Sequence, residues 1–215
     1  MNFNFFPISY WFELLSLVVC IYHLNRLKGS SLILFLPLLL CVVVGEFIGI
    51  YLSFINTDNS FLYNLLTIIQ FTFWYIIFYK NFKTISPKRL TKYLGIIFLL
   101  FAFFNLFFFQ SFFYFNNYTL IVGAFITILL CCLMFYQILN DKSVINPISY
   151  PFFWITSGAF FFFTGTFFYF SLYNSLQKLQ AENNTLIFNL IILNLNILFY
   201  SLISVGLILH KKGNK

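Results

Sequence analysis

The chain has 215 residues, of which 61% are hydrophobic, 24% aromatic and only 8% charged. A water-soluble domain needs about a quarter of its residues charged to cover its core, so this composition excludes a soluble fold and points to an integral membrane protein. The net charge of +7 comes from 12 basic and 5 acidic side chains, and where they lie matters more than their sum.

Polar breaks divide the chain into seven apolar stretches of about 20 residues each, the length that spans a bilayer as a helix. They lie near 8 to 27, 31 to 54, 61 to 82, 93 to 114, 119 to 140, 152 to 174 and 185 to 210. Continuous runs of this length do not fit the alternating strands of about 10 residues that build a membrane barrel. The expected fold is therefore all-α, a single transmembrane domain over 1–215 made of seven helices. The connections carry turn formers: Lys28, Gly29 and Ser30; Asn56 to Asn59; Ser86, Pro87 and Lys88; Asn116 and Asn117; Asn140 to Lys142; and Glu182 to Asn184. The 35 phenylalanines accompany many Ile, Asn, Tyr and Lys, as A/T-rich codon usage would produce. Runs such as Phe160 to Phe163 are read as packing or lipid-facing residues.

Span 1 has no basic n-region before it and no small-residue cleavage site after it, so it is expected to stay in the mature protein. It carries Trp11 at an interface and Ser9, Glu13, Ser16 and Cys20 on one helical face. Span 2 contains Pro37, where a kink is expected. It also carries Gly45, Glu46, Gly49 and Ser53, the glycines at a spacing that permits close helix approach. Glu13 and Glu46 are the only acids within the spans. They stand equally far from the turn at Gly29 and Ser30, so an antiparallel hairpin puts both at one depth. An ionisable group inside a bilayer is a candidate functional residue. Two carboxyls together, with no Lys or Arg near, resist double ionisation, which leaves a shared proton or a held cation as expectations. The plainer alternative, two protonated carboxyls hydrogen-bonded to Ser, Tyr or backbone carbonyls, stays open.

Further spans add polar groups at comparable depth: Asn64, Thr67, Gln70 and Trp74 in span 3, Asn105 in span 4, Ser157, Thr164 and Thr166 in span 6, and Asn189, Asn196 and Tyr200 in span 7. The expected ligand-binding set, lining a cavity in the outer half that would take a small ligand, a lipid or a partner helix, is Glu13, Glu46, Asn64, Gln70, Trp74, Asn105, Thr164 and Asn196. His23 and His210 are expected at the interface beside Arg26 and Lys211. Cys20, Cys41, Cys131 and Cys132 have no C-x-x-C spacing, so neither a disulfide framework nor a zinc site is indicated. No cofactor, metal or catalytic residue is expected.

Eleven of the 12 basic residues fall on one side of the alternating spans: Arg26, Lys28, Lys80, Lys83, Lys88, Arg89, Lys92, Lys142, Lys211, Lys212 and Lys215. Only Lys178 falls on the other. The positive-inside rule then puts the N-terminus outside and the C-terminus in the cytoplasm. Topology accounts for the net charge, so nucleic-acid binding is not indicated. Lys83, Lys88, Arg89 and Lys92 are expected to meet a protein partner or anionic lipid. Sequons at Asn117 and Asn183 lie on expected outer loops, close to the bilayer.

Several seven-helix classes are excluded by residues. The last span has no Schiff-base lysine for retinal, no Pro-Gln pair marks a sugar carrier, and no H-E-x-x-H marks a metalloprotease. No His stands at membrane depth to pair with Ser157 as a serine-protease dyad. Two stretches carry a resemblance: Asn59 to Asn64 leading through Gln70 and Trp74 to Lys80, and Pro151 to Gly158 leading to Gly165. They resemble uncharacterised bacterial seven-helix inner-membrane proteins, often encoded near two-component regulators. The resemblance implies a sensory or accessory role at the bacterial inner membrane and brings no catalytic residues. A small transporter or proton-linked carrier using Glu13 and Glu46, and an intramembrane lipid-modifying enzyme, are the rival expectations.

Overall fold

The computed structural model describes residues 6–111, 113–142, 144–172 and 187–210, the last segment without the side chains of 187–189. Lys178, Glu182, the sequon at Asn183, the side chain of Asn189 and the lysines at 211, 212 and 215 therefore lie outside the described residues. The described chain is helical: α1 (Ile8–Tyr22), a single turn α2 (Leu24–Leu27), α3 (Phe35–Phe54), α4 (Ser60–Asn81), α5 (Ile85–Phe104), α6 (Asn117–Asn140), α7 (Pro151–Ser171) and α8 (Ile187–Leu209). Among the described residues, six helices are long and apolar enough to cross a membrane, with α1 a shorter apolar helix beside them.

Three boundaries differ from the sequence expectation, each for a local reason. The first helix stops at Tyr22 rather than 27: the Arg26 N–H closes a tighter turn on the His23 carbonyl as the chain swings toward Gly29, whose φ of +88° suits a residue without a Cβ. Pro37 produces no mid-span kink, because it sits in the first turn of α3. With no N–H to bond residue 33, it leaves Ser31–Leu34 in 3-10 geometry ahead of the helix. Ser86, Pro87 and Lys88 form the first turn of α5 rather than a loop. Proline is tolerated there, and Lys88, Arg89 and Lys92 become rungs of a helix. At its other end α5 passes into a π turn over Asn105–Phe109.

Side-chain contacts define the two ends of the bundle. At the end rich in basic residues, Ser31 Oγ donates to Asn81 Oδ1 at 2.7 Å, and Gln137 binds both the Asn81 carbonyl at 3.1 Å and the Lys83 N–H at 2.6 Å. Lys83 there forms an ion pair with Asp141. At the opposite end, Asn59 Nδ2 donates to the Gly49 carbonyl at 3.1 Å, and Asn64 Nδ2 to the Tyr114 carbonyl at 2.8 Å. The arrangement is an alternating bundle in which α1 packs on α3 and α8, α3 on α4, α6 on α7, and α7 on α8.

Trp74 occupies the centre of the core, with Phe35, Phe78, Phe163 and Phe199 ring centroids 5.6 to 5.9 Å away. Aromatic pairs at this spacing contribute about 0.5–1.5 kcal/mol each beyond the area they bury. The outward faces are apolar too, with Leu15, Val44, Phe47, Ile97, Leu100 and Phe103 exposed. An apolar exterior around an aromatic core is the pattern of a protein solvated by lipid.

Candidate functional site

Glu13 and Glu46, equidistant from the α1–α3 turn, lie within electrostatic reach of each other. Glu13, on α1, is 4% exposed. Its Oε2 atom is buried and has no hydrogen-bond partner. Glu46, on α3, is part-buried and accepts a hydrogen bond from the Tyr63 hydroxyl of α4 at 3.1 Å. Each carboxyl is within electrostatic reach of the other and of the phenols of Tyr10, Tyr63 and Tyr200. Neither is paired with a basic side chain among the described residues. Helices α1, α3, α4 and α8 thus meet around two acids and three tyrosines.

Small residues shape this centre. A Cβ on Gly49 would stand 2.5 Å from the Tyr63 hydroxyl, so the glycine makes the space through which the phenol reaches Glu46. Gly45 one turn earlier admits Leu66 in the same way, at 2.4 Å from an added Cβ. The glycine face of α3 therefore packs on α4. On α1, Ser16 is fully buried and donates to the Tyr200 carbonyl at 2.8 Å, with Ser204 Oγ 2.9 Å away. That triangle fixes α1 on α8 one turn from Glu13. Phe6 stacks on Tyr10 and Phe47 above the acids, with centroids 4.9 and 6.1 Å apart.

The other six expected ligand residues are distributed elsewhere. Asn64 and Asn105 hold the connection from α5 to α6: Asn64 Oδ1 accepts from the Asn116 N–H at 2.9 Å, and the Asn105 amide donates to Gln110 and Thr119, each at 3.1 Å, and to Asn116. Their polarity serves a loop. Trp74 is 2% exposed inside the aromatic core. Gln70 lines a separate cavity of about 130 Å³ with Thr67 and Thr166 among phenylalanines of α7. Thr164 on α7 has a buried hydroxyl without a partner. The Asn196 amide donates to the Ile192 carbonyl of its own helix at 3.0 Å, one turn from Tyr200. The expected set is therefore divided between a carboxyl centre, a loop clamp, a small cavity and the core.

Tyr10, Tyr63 and Ser204 were not in the expected set. Tyr63 stands as far after the turn at Asn56 as Gly49 stands before it, so the reflection that pairs the two acids would also have found it. At the basic end, Lys83 is exposed, and its hydrogen bond with Asp141 holds its ammonium above the usual lysine range. Lys88, Arg89 and Lys92 are on the first two turns of α5. The four cysteines are free, and the described residues contain no cluster of three or more His, Cys, Asp or Glu able to hold a metal ion. In comparison with known proteins, the chain matches no protein-family model, no curated protein and no solved structure.

Proposed function

We propose that this multi-pass membrane protein is a sensory or accessory component whose carboxyl centre binds a small cationic or hydrogen-bond-donating ligand. The observation that carries the reading is the buried, unpartnered Oε2 of Glu13. A buried acceptor without a donor costs about 1–3 kcal/mol, and a ligand that supplies the donor recovers it. Glu46, with Tyr63 already bonded to it, gives the centre a second acceptor of fixed position. Monovalent ions and amines fit two carboxyls better than divalent metals, which take six or more oxygen ligands when they are calcium.

In this reading α1 and α2 together make a seventh crossing, the N-terminus is outside, and the carboxyl centre lies in the outer half of a bacterial inner membrane. The basic asymmetry of the connections supports that orientation. It holds for the six long helices whether or not α1 crosses. A bound ligand would be reported to a cytoplasmic partner through the basic stretch from 80 to 92 and the Lys-rich tail. The test is thermal unfolding of the purified protein with sodium, potassium, ammonium and choline. At least one should raise the melting temperature of the wild type and not of Glu13→Gln; no response to any of them removes the reading.

A proton-linked carrier is the second reading, favoured by the absence of a basic partner for either acid among the described residues. Proteoliposome uptake that loses its pH dependence in both Glu13→Gln and Glu46→Gln would select it over a sensor.

A further inference from the structure

A second feature, independent of the carboxyl centre, lies on the outer surface of the bundle between α4 and α5. There a groove of about 340 Å³ has Thr72, Ile76 and Tyr79 on one wall and Lys92, Gly95 and Leu99 on the other. Its chemistry changes along its length. Lys88 and Arg89 share a face of α5 with Lys92 and stand at the basic end; Gly95, Ile96 and Leu99 follow on the same face, and their stretch is apolar. Neither α4 nor α5 contains an acidic residue.

Gly95 is what keeps the groove open. A Cβ there would come no nearer than 3.5 Å to its closest neighbour, the Tyr75 side chain, an ordinary contact. The glycines that helix packing requires behave differently: an added Cβ at Gly45 or Gly123 falls 2.4 Å from a neighbouring side chain. Close approach of α4 and α5 therefore does not need a glycine at 95, although glycine weakens a helix interior relative to alanine. From Lys92 to Leu99 the groove runs about 10 Å along the helix, which is most of the hydrocarbon depth of one leaflet, about 15 Å.

We propose that this groove is a binding site for one anionic phospholipid of the leaflet at the basic end. The headgroup phosphate sits at Lys92 with Lys88 and Arg89 beside it, and one acyl chain lies over Gly95 against Ile76 and Thr72. Charge complementarity selects an anionic lipid over a zwitterionic one, and the apolar floor selects a lipid over a soluble phosphate. A basic side chain near an anionic membrane surface contributes a factor of about 5 in affinity, the equivalent of about 1 kcal/mol.

The test is native mass spectrometry of the full chain, delipidated and then incubated with equal amounts of phosphatidylglycerol and phosphatidylcholine of the same chain length. One retained phosphatidylglycerol is expected on the wild type. Lys92→Gln should lower its preference over phosphatidylcholine about 5-fold. Gly95→Leu should remove both adducts while the protein keeps its melting temperature, since the new Cβ makes only an ordinary contact with Tyr75 and the rest of the side chain enters the groove. Arg26→Gln, which changes a basic residue on α2 outside the groove, should leave the preference intact. The proposal is overturned by a wild type with no preference, by retention of the lipid in Gly95→Leu, or by equal losses in Arg26→Gln and Lys92→Gln.

Discussion

The Tyr63 hydroxyl reaches Glu46 Oε2, at 3.1 Å, across the face of α3 where Gly49 has no side chain. One absent Cβ thus determines whether one of the two acids has a donor. Tyr63→Phe should destabilise by about 0.5–1.5 kcal/mol, the ordinary net value of a lost hydrogen bond. Gly49→Ala should cost more despite its better helix propensity, because its methyl would fall 2.5 Å from the hydroxyl. The double variant should be less destabilised than the sum of the two, and additive losses in thermal unfolding would show that the residues do not share the space.

Glu13 permits a test that separates a binding role from a structural one. If its carboxyl is kept for a ligand, Glu13→Met removes an unpartnered polar atom from the interior and should raise the melting temperature, as apolar replacement of buried polar groups often does. A loss of more than about 2 kcal/mol instead would mean that the carboxyl holds the bundle together.

Ser16 is expected to tolerate removal of its hydroxyl but not enlargement. Ser16→Ala should cost about 0.6 kcal/mol, the average for side-chain hydrogen bonds between membrane helices. Ser16→Leu should cost about 1–3 kcal/mol from overpacking at a site with no free surface. Equal effects of the two changes in a denaturation series would contradict close packing of α1 on α8.

The Asn64–Asn105–Asn116 clamp should govern the connection from α5 to α6. In Asn105→Ala, residues 113–116 should exchange amide hydrogens faster and be cleaved sooner in limited proteolysis, while protection in the core of α6 is unchanged. The same rate in variant and wild type would remove the clamp from this account.

Lys83 has a signed pH dependence. Its folded-state pKa is raised, first by the hydrogen bond with Asp141, above the ordinary lysine value of 10.5. The contribution of the pair is therefore complete below that value and is lost as pH rises through the folded pKa. With the lysine side chain 55% exposed, solvent screening limits the effect to below about 1 kcal/mol. Wild-type stability should fall more than that of Lys83→Gln between neutral and strongly alkaline pH, and less so in high salt.

Several of these relationships could be read from the sequence by reflecting positions across a turn. Glu13 and Glu46 are equidistant from Gly29 and Ser30, and the structure places them in mutual reach because a short connection between antiparallel helices leaves little freedom of register. Depth alone was a weaker guide. Asn64 and Asn105 are polar and within expected spans, yet they satisfy backbone and side-chain groups of the connection that follows α5, since buried polar groups near a helix end find the loop first. Ser86, Pro87 and Lys88 look like a turn by composition, but proline is equally at home in a helix's opening turn. What composition could not convey was which helix each glycine faces: Gly45 and Gly49 admit side chains of α4, and only three-dimensional packing distinguishes them from Gly95.

The triangle of Ser16, Ser204 and the Tyr200 carbonyl joins residues 184 and 188 positions apart in the chain. During synthesis α1 emerges first, and α8, one of its main packing partners, emerges after every other described helix. Until then Glu13 and Ser16 lack the wall that α8 provides, and a buried acid would face lipid or the insertion machinery. The carboxyl centre is thus completed only when the last described helix docks, so a chain truncated before α8 should be recognised by cellular quality control as unfinished even with the preceding helices inserted.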